Sequence, residues 1–188
     1  MGHSQAGKKA THDRIVKIAS ARFRELGLEG IGVADVMKQA GVTVGGFYKH
    51  FKDRDQLVVE ALADAFPDGS VIGGSGQELA EDIRSYLSVR HRDDPGKGCA
   101  MGALLGGMPH ASKAVRRKYT DQFKKNLDLV SEVQNAESPS DKRARALLMM
   151  CALYGAINLA RGVDNAKLSK EILETVSEEL IRRLCPER

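Results

Sequence analysis

Apolar residues recur at steps of three and four along almost the whole chain, and this periodicity limits the fold more than any other feature. Ile15, Ile18, Ala19, Phe23 and Leu26 form one such series, the pattern of an amphipathic helix with a single buried stripe. Thr11 is expected to cap that helix and Gly27 to end it, since glycine enters the left-handed conformation that closes a helix at little cost. Strand-like alternation is nearly absent, aromatic residues make up 5% of the chain, and tryptophan is missing. Sheets draw on β-branched and aromatic residues, so the expected fold is all-α.

A second short helix is read over Val33–Ala40, with Val36 and Met37 inward and Gly41 as its stop. A third runs from a Thr43 cap to His50, with Phe47 and Phe51 four apart on its inner side. Asp53 caps the next, where Leu57, Val58, Ala61, Leu62 and Ala65 keep the period until Pro67. The segment PDGSVIGGSGQ then reads as a flexible loop. Further helices are expected over Glu78–Arg92, Ala100–Gly106, Ser112–Ala136, Ser140–Arg161 and Ser169–Leu184.

At 188 residues the chain can bury a substantial core without covalent staples. Its three cysteines, Cys99, Cys151 and Cys185, include no CxxC pair, and no histidines stand at zinc-ligand spacing. A disulfide framework, a structural metal and a cofactor are therefore not expected. The first residues are polar and basic, and no apolar run approaches the ~20 residues that span a bilayer. The expected setting is the cytoplasm, with no membrane partner.

Net charge is only +4, but its placement is informative. Lys8, Lys9, His12, Arg14, Lys17, Arg22, Arg24, Lys38, Lys49, His50, Lys52 and Arg54 concentrate basic groups before residue 55, against few acids. Such a stretch suits a surface that faces phosphates.

Within it lies a constellation running from Val36 through Ala40, Gly41, Val42, Thr43, Gly45, Gly46, Phe47, Tyr48, His50, Phe51 and Arg54 to Leu57. Two short helices joined by a glycine turn form a helix-turn-helix, whose second member enters the major groove of DNA. In these residues the chain resembles the TetR family, whose members share a glycine turn, a capping serine or threonine, an aromatic-tyrosine pair, a histidine-phenylalanine pair and a following basic residue. The resemblance covers residues 11–60 in motif detail and the rest in helix layout. It implies an N-terminal helix-turn-helix DNA-binding domain, placed at residues 1–56, and a C-terminal helical ligand-binding and dimerisation domain at 57–188.

Thr43 leaves a hydroxyl and free backbone amides where a phosphate can sit. Tyr48 lies opposite Phe47 and Phe51, while Lys49, His50, Lys52 and Arg54 extend the positive surface. Gly32 stands where a capping serine or threonine is usual, and Gly45 and Gly46 offer no side chains to base edges. Sequence preference then rests chiefly on Val44, Tyr48 and Lys49.

In the C-terminal half, Leu148, Ala152, Gly155 and Leu159 form a stripe of small and branched residues beyond what one chain's core needs. Leu173, Val176, Leu180 and Leu184 repeat at helical spacing in the last helix. Two such helices from each of two chains can build a four-helix bundle about a twofold axis, and the resemblance favours that homodimer over internal packing. Two reading heads would then meet the half-sites of a palindromic DNA operator.

The resemblance also implies an effector cavity. Tyr86, Met101, Leu105 and Met108 offer an adaptable apolar lining, continued by Phe123, Leu127, Met150 and Tyr154 with Asn158 as a polar handle. Cys99 precedes a predicted helix in a Gly-Cys setting used by some TetR-type regulators to sense electrophiles or oxidants. The implied function is a repressor released by a small molecule or electrophile. Two alternatives stay open: a ligand-independent dimeric DNA binder, and a thiol hydrolase pairing Cys99 with His91 or His110. The second lacks an oriented third group.

Overall fold

The computed structural model describes residues 5–66 and 77–185, so the loop expected over 67–77 lies almost wholly outside the described residues. Every regular element among them is helical, as the periodicity predicts. They divide into two compact units, one formed by residues 5–66 and 95–119, the other by 77–94 and 120–185. Among the described residues no helix is long and apolar enough to cross a membrane.

In the first unit, α1 (Gln5–Leu26) packs along α3 (Arg54–Ala65), and α2 (Val33–Gln39) packs on α1. Ile15, Ala19 and Phe23 of α1 meet Leu57, Val58, Ala61 and Leu62 of α3 in a core from which water is excluded. Burial of this kind supplies most of the stability of short helices. Asp53 caps α3 as expected, its carboxylate accepting from the Gln56 amide at 2.8 Å. Thr11 does not cap α1. The helix starts six residues earlier, and the Thr11 hydroxyl donates back to the Gly7 carbonyl at 3.0 Å from the helix interior.

Gly27 and Gly41 are the two described glycines with positive φ, at +78° and +69°. Each lets the chain reverse directly behind a helix end. The element expected as a third α-helix is instead a six-residue 3-10 turn, Val44–Lys49, hereafter the recognition turn. Its consecutive glycines disfavour a wound α-helix, and the tighter 3-10 geometry tolerates so short a run.

Residues 95–119 complete the first unit with α6 (Ala100–Leu104), a 3-10 turn over Leu105–His110, and the first residues of α7 (Lys113–Glu132). There α6 packs on α1, and the Tyr119 hydroxyl donates to the Met101 carbonyl at 2.7 Å.

The second unit is built on α8 (Pro139–Gly162) and α9 (Ala166–Leu184), which pack extensively together. Met149, Met150, Leu153 and Ile157 of α8 and Leu173, Leu180 and Leu184 of α9 are all buried. The helix expected over Glu78–Arg92 is two: α4 (Gln77–Tyr86) and α5 (Val89–Asp93). Ser88 causes the break, its hydroxyl donating to the Ser85 carbonyl at 2.7 Å and accepting from the His91 amide at 3.2 Å. Arg161 then satisfies the open end of α5, donating to the carbonyls of Arg92 at 3.0 Å and His91 at 2.7 Å.

The two kinds of glycine separate in a stability measurement. Gly41→Ala meets no neighbour within 4 Å but is forced into the left-handed region, so it should cost about 1–2 kcal/mol. Gly45→Ala also meets open space without positive φ, and should be neutral or stabilising by up to ~1 kcal/mol through the unfolded chain. Urea-unfolding midpoints of the two variants check this.

Candidate nucleic-acid interface

The recognition turn is held from beneath by aromatic packing. Phe47 and Phe51 are 3% and 2% exposed, with ring centroids 5.3 Å apart. While these two face inward, Tyr48 between them is 79% exposed and Val44 before them 52%. Thr43, Gly45 and Lys49 are exposed as well, and Gly46 and His50 are half-buried. At the start of the turn the Thr43 side chain makes no capping bond, while its carbonyl accepts from the Gly46 amide at 2.9 Å. The hydroxyl therefore stays available to an incoming acceptor.

Of the expected DNA-facing residues, Thr43, Val44, Gly45, Tyr48, Lys49 and Lys52 are exposed, and Arg54 is differently engaged. Its guanidinium donates to the Leu28 carbonyl, lies 3.4 Å from the Glu29 carboxylate, and sits 5.9 Å from the centroid of the Phe23 ring. It ties the loop after α1 to the start of α3. Other basic groups are also locally paired: Lys9 with Asp13 and Arg22 with Glu25, each at 2.6 Å. Lys49 and Lys52 carry no such pair among the described residues.

A polar chain that no sequence spacing signalled fixes the far end of the turn. The Lys52 amide donates to Gln56 Oε1 at 2.7 Å, Gln56 Nε2 donates to Glu60 Oε1 at 2.9 Å, and Glu60 Oε2 meets His12 Nε2 at 2.6 Å. The His12 ring stacks on Phe51 with centroids 4.6 Å apart. His12 and Glu60 are 48 residues apart, which is why only the folded chain reveals the pair. Beside them, His50 is held below its ordinary pKa by burial, then by the nearby His12, Lys8 and Lys49.

The expected effector-lining residues fall in both units. Met101 and Met108 are buried in the first, with Leu105 exposed and Cys99 half-buried at the N-cap of α6. Burial, and to a smaller extent Cys99, pushes the Tyr119 phenol upward. In the second unit Tyr86, Leu127, Met150 and Tyr154 are buried, with the rings of Tyr86 and Tyr154 6.2 Å apart. Phe123 and Asn158 are half-buried there, and Asn158 donates to the Tyr154 carbonyl at 2.7 Å. A cavity of about 680 Å³ in this unit lies elsewhere, between α4 and α9, lined by Arg84, Leu87, Ser177, Ile181 and Cys185 among others. None of the ten expected lining residues borders it. Of the expected dimer residues, Leu148 and Leu159 are 58% and 60% exposed, Ala152, Gly155 and Val176 are half-buried, and Leu173, Leu180 and Leu184 are within the unit's core.

Residues 15–61 match the sequence model described as bacterial regulatory proteins, tetR family. The HTH-type transcriptional repressor KstR2 of Mycolicibacterium smegmatis is 36% identical over 52 residues, which are 28% of this chain and 25% of that protein. The transposon Tn10 TetC protein of Escherichia coli is 36% identical over 56 residues, 30% of this chain and 28% of that one. The chain thus spans about a quarter of the length of these curated relatives. Over nearly the whole chain the fold is that of solved TetR-family regulators. The structure from Agrobacterium tumefaciens has a TM-score of 0.74 at 15% identity, covering 95% of this chain and 99% of its own. The structure from Chloroflexus aurantiacus has 0.71 at 21%, covering 96% and 98%.

The depressed pKa of His50 makes two effects of opposite sign. The unfolded chain takes up this proton more readily than the folded one, so the stability contributed is complete above the unfolded value of 6.5 and is lost as pH falls from there through the lower folded value. A phosphate opposite the turn instead favours the protonated ring. DNA affinity should therefore rise as pH is lowered from about 8 to about 6, and His50→Gln should flatten that rise in fluorescence anisotropy titrations.

Proposed function

We propose, for a chain that carries a tetR-family DNA-binding domain over residues 15–61, that it is a transcriptional repressor working as a homodimer on a palindromic operator and released by a small-molecule or electrophile signal. One observation carries the DNA-binding part. The recognition turn buries Phe47 and Phe51 and turns Thr43, Val44, Tyr48 and Lys49 outward together on a segment with no other visible structural duty. Thr43 and the backbone amides suit one phosphate, Lys49, His50 and Lys52 suit its neighbours, and Val44 and Tyr48 reach toward base edges and sugars. Arg54 supports the site from behind. This reading assigns the chain to regulators and not to enzymes, and places it in the cytoplasm.

The homodimer is supported by Leu148 and Leu159, large apolar side chains exposed on one stripe of α8 with Ala152 and Gly155 between them. Small residues between larger ones let two helices approach closely. Leu173, Leu180 and Leu184 act in this reading as the support behind α8, leaving Val176 as the contribution of α9. Residues 1–56 serve as the reading head and 57–188 as the effector and dimerisation domain. Effector coupling requires that ligand and DNA prefer different arrangements of the dimer, each then weakening the other's binding by one shared factor. Cys99, half-buried beside Tyr119, is the site for an electrophile signal.

A gel-shift titration with the upstream region of the chain's own gene tests the reading. Wild-type protein should bind one operator as a dimer, and iodoacetamide should release it through Cys99. Lys49→Gln should weaken binding to all duplexes and lower the slope of log affinity against log salt by about 0.9. An unchanged slope would remove Lys49 from the interface. Leu148→Glu with Leu159→Glu should give monomers by sedimentation and lose operator binding, whereas a dimer that persists would place the interface elsewhere.

A further inference from the structure

Residues 95–119 contain five Lys or Arg and no Asp or Glu, although the whole chain has a net charge of only +4. The contrast within the first unit is sharp, because residues 5–66 carry ten Lys or Arg against eight Asp or Glu. Four of the five cations, Lys113, Arg116, Arg117 and Lys118, fall in the first six residues of α7. Lys113, Arg116 and Arg117 are exposed and Lys118 is half-buried, while Val115 and Tyr119 anchor the helix on the opposite side.

Two physical facts describe this cluster. Among the described residues these four side chains have no ion-pair or hydrogen-bond partner, as is also true of Lys49 and Lys52, so all four charges are open to an incoming anion. The cluster also sits at the end of α7 where the helix dipole is positive, and the first turn holds no acid to offset it. Like charges crowd one another there and oppose the dipole. The arrangement weakens the helix unless an anion is present to relieve it.

From this charge placement we propose that the first two turns of α7 are a second DNA-binding surface, one that grips the phosphate backbone of duplex DNA without reading sequence. The surface lies on a different element from the recognition turn, and this end of the unit is tied through Tyr119 and α6 to α1. The choice of DNA among polyanions rests on the reading above, since the cluster belongs to the same compact unit as the tetR-family domain. Four lysine and arginine heads within two helical turns are complementary to closely spaced phosphates. The surface would hold a second duplex, or a second stretch of the same DNA, while the recognition turn holds the operator.

The test uses the full-length chain and a short duplex lacking the operator, in salt from about 50 to about 200 mM. A Lys49→Gln, Lys52→Gln variant disables the recognition turn and isolates the other surface. Its residual binding should keep a log-log salt slope of about 3–4, near 0.9 for each of four phosphates. Adding Lys113→Gln, Arg116→Gln, Arg117→Gln and Lys118→Gln should abolish that residue. These changes remove repulsion at a helix start, so folding is expected to hold, and the double variant Lys113→Ala, Arg117→Ala should halve the slope as a second reading. No residual binding in the first variant, or residual binding untouched by the α7 changes, would overturn the proposal. Binding to phosphatidylserine vesicles that disappears with the α7 changes while DNA binding does not would overturn it in favour of a lipid partner. Failure of the recognition-turn reading registers separately, as operator affinity that Lys49→Gln, Lys52→Gln leaves unchanged.

Discussion

The packing of Phe51 is the contact on which the rest of the first unit depends. Its ring lies against Phe47 on one side and His12 on the other, so a single aromatic side chain joins the recognition turn to α1. A six-residue 3-10 turn with two glycines has no stability of its own. It is held in shape by what it packs on, and the His12–Glu60–Gln56 chain extends that hold to the backbone at Lys52. Orientation of the outward side chains is therefore a tertiary property, set by the buried Phe47 and Phe51 and the half-buried His12, Gln56 and Glu60.

That dependence explains what could be read in the sequence and what could not. Periodicity located the helices because each buries one stripe: Ile15, Ala19 and Phe23 on α1, or Leu57, Ala61 and Leu62 on α3, are the residues that the three-and-four spacing selects. Gly27, Gly41 and the Asp53 cap were legible because each has one local physical role. Boundaries set by competing local bonds were not. Thr11 has the chemistry of a cap, yet Gln5–Ala10 extend the helix past it. Leu87 and Val89 continue an apolar run across the place where Ser88 breaks it.

The outward face of the recognition turn followed from the inward position of Phe47 and Phe51, which spacing alone supplies. Arg54 did not follow. Its side chain satisfies the Leu28 carbonyl, and nothing in the local sequence announces that this carbonyl needs a donor. The same limit applies to α9. Leu173, Leu180 and Leu184 have the spacing of any apolar helix face, and which partner helix that face meets is decided by the fold. The basic character of the first third was likewise visible, but Asp13, Glu25 and Glu29 neutralise part of it locally.

In a 3-10 turn, residues three apart eclipse one another, so Gly45 stands in line with Tyr48, and Gly46 with Lys49. Tyr48 and Lys49 each have bare backbone behind them in their own row. Under the proposed function, the turn can ask few questions of a base pair, and discrimination near 1–3 kcal/mol per position is confined to few positions. Against some 10⁶ or more competing genomic sites, such a short vocabulary cannot single out one promoter from a single half-site. In that reading the address lies in the distance between two half-sites, so that substitutions in the half-sites are tolerated and an inserted or deleted base pair between them is not.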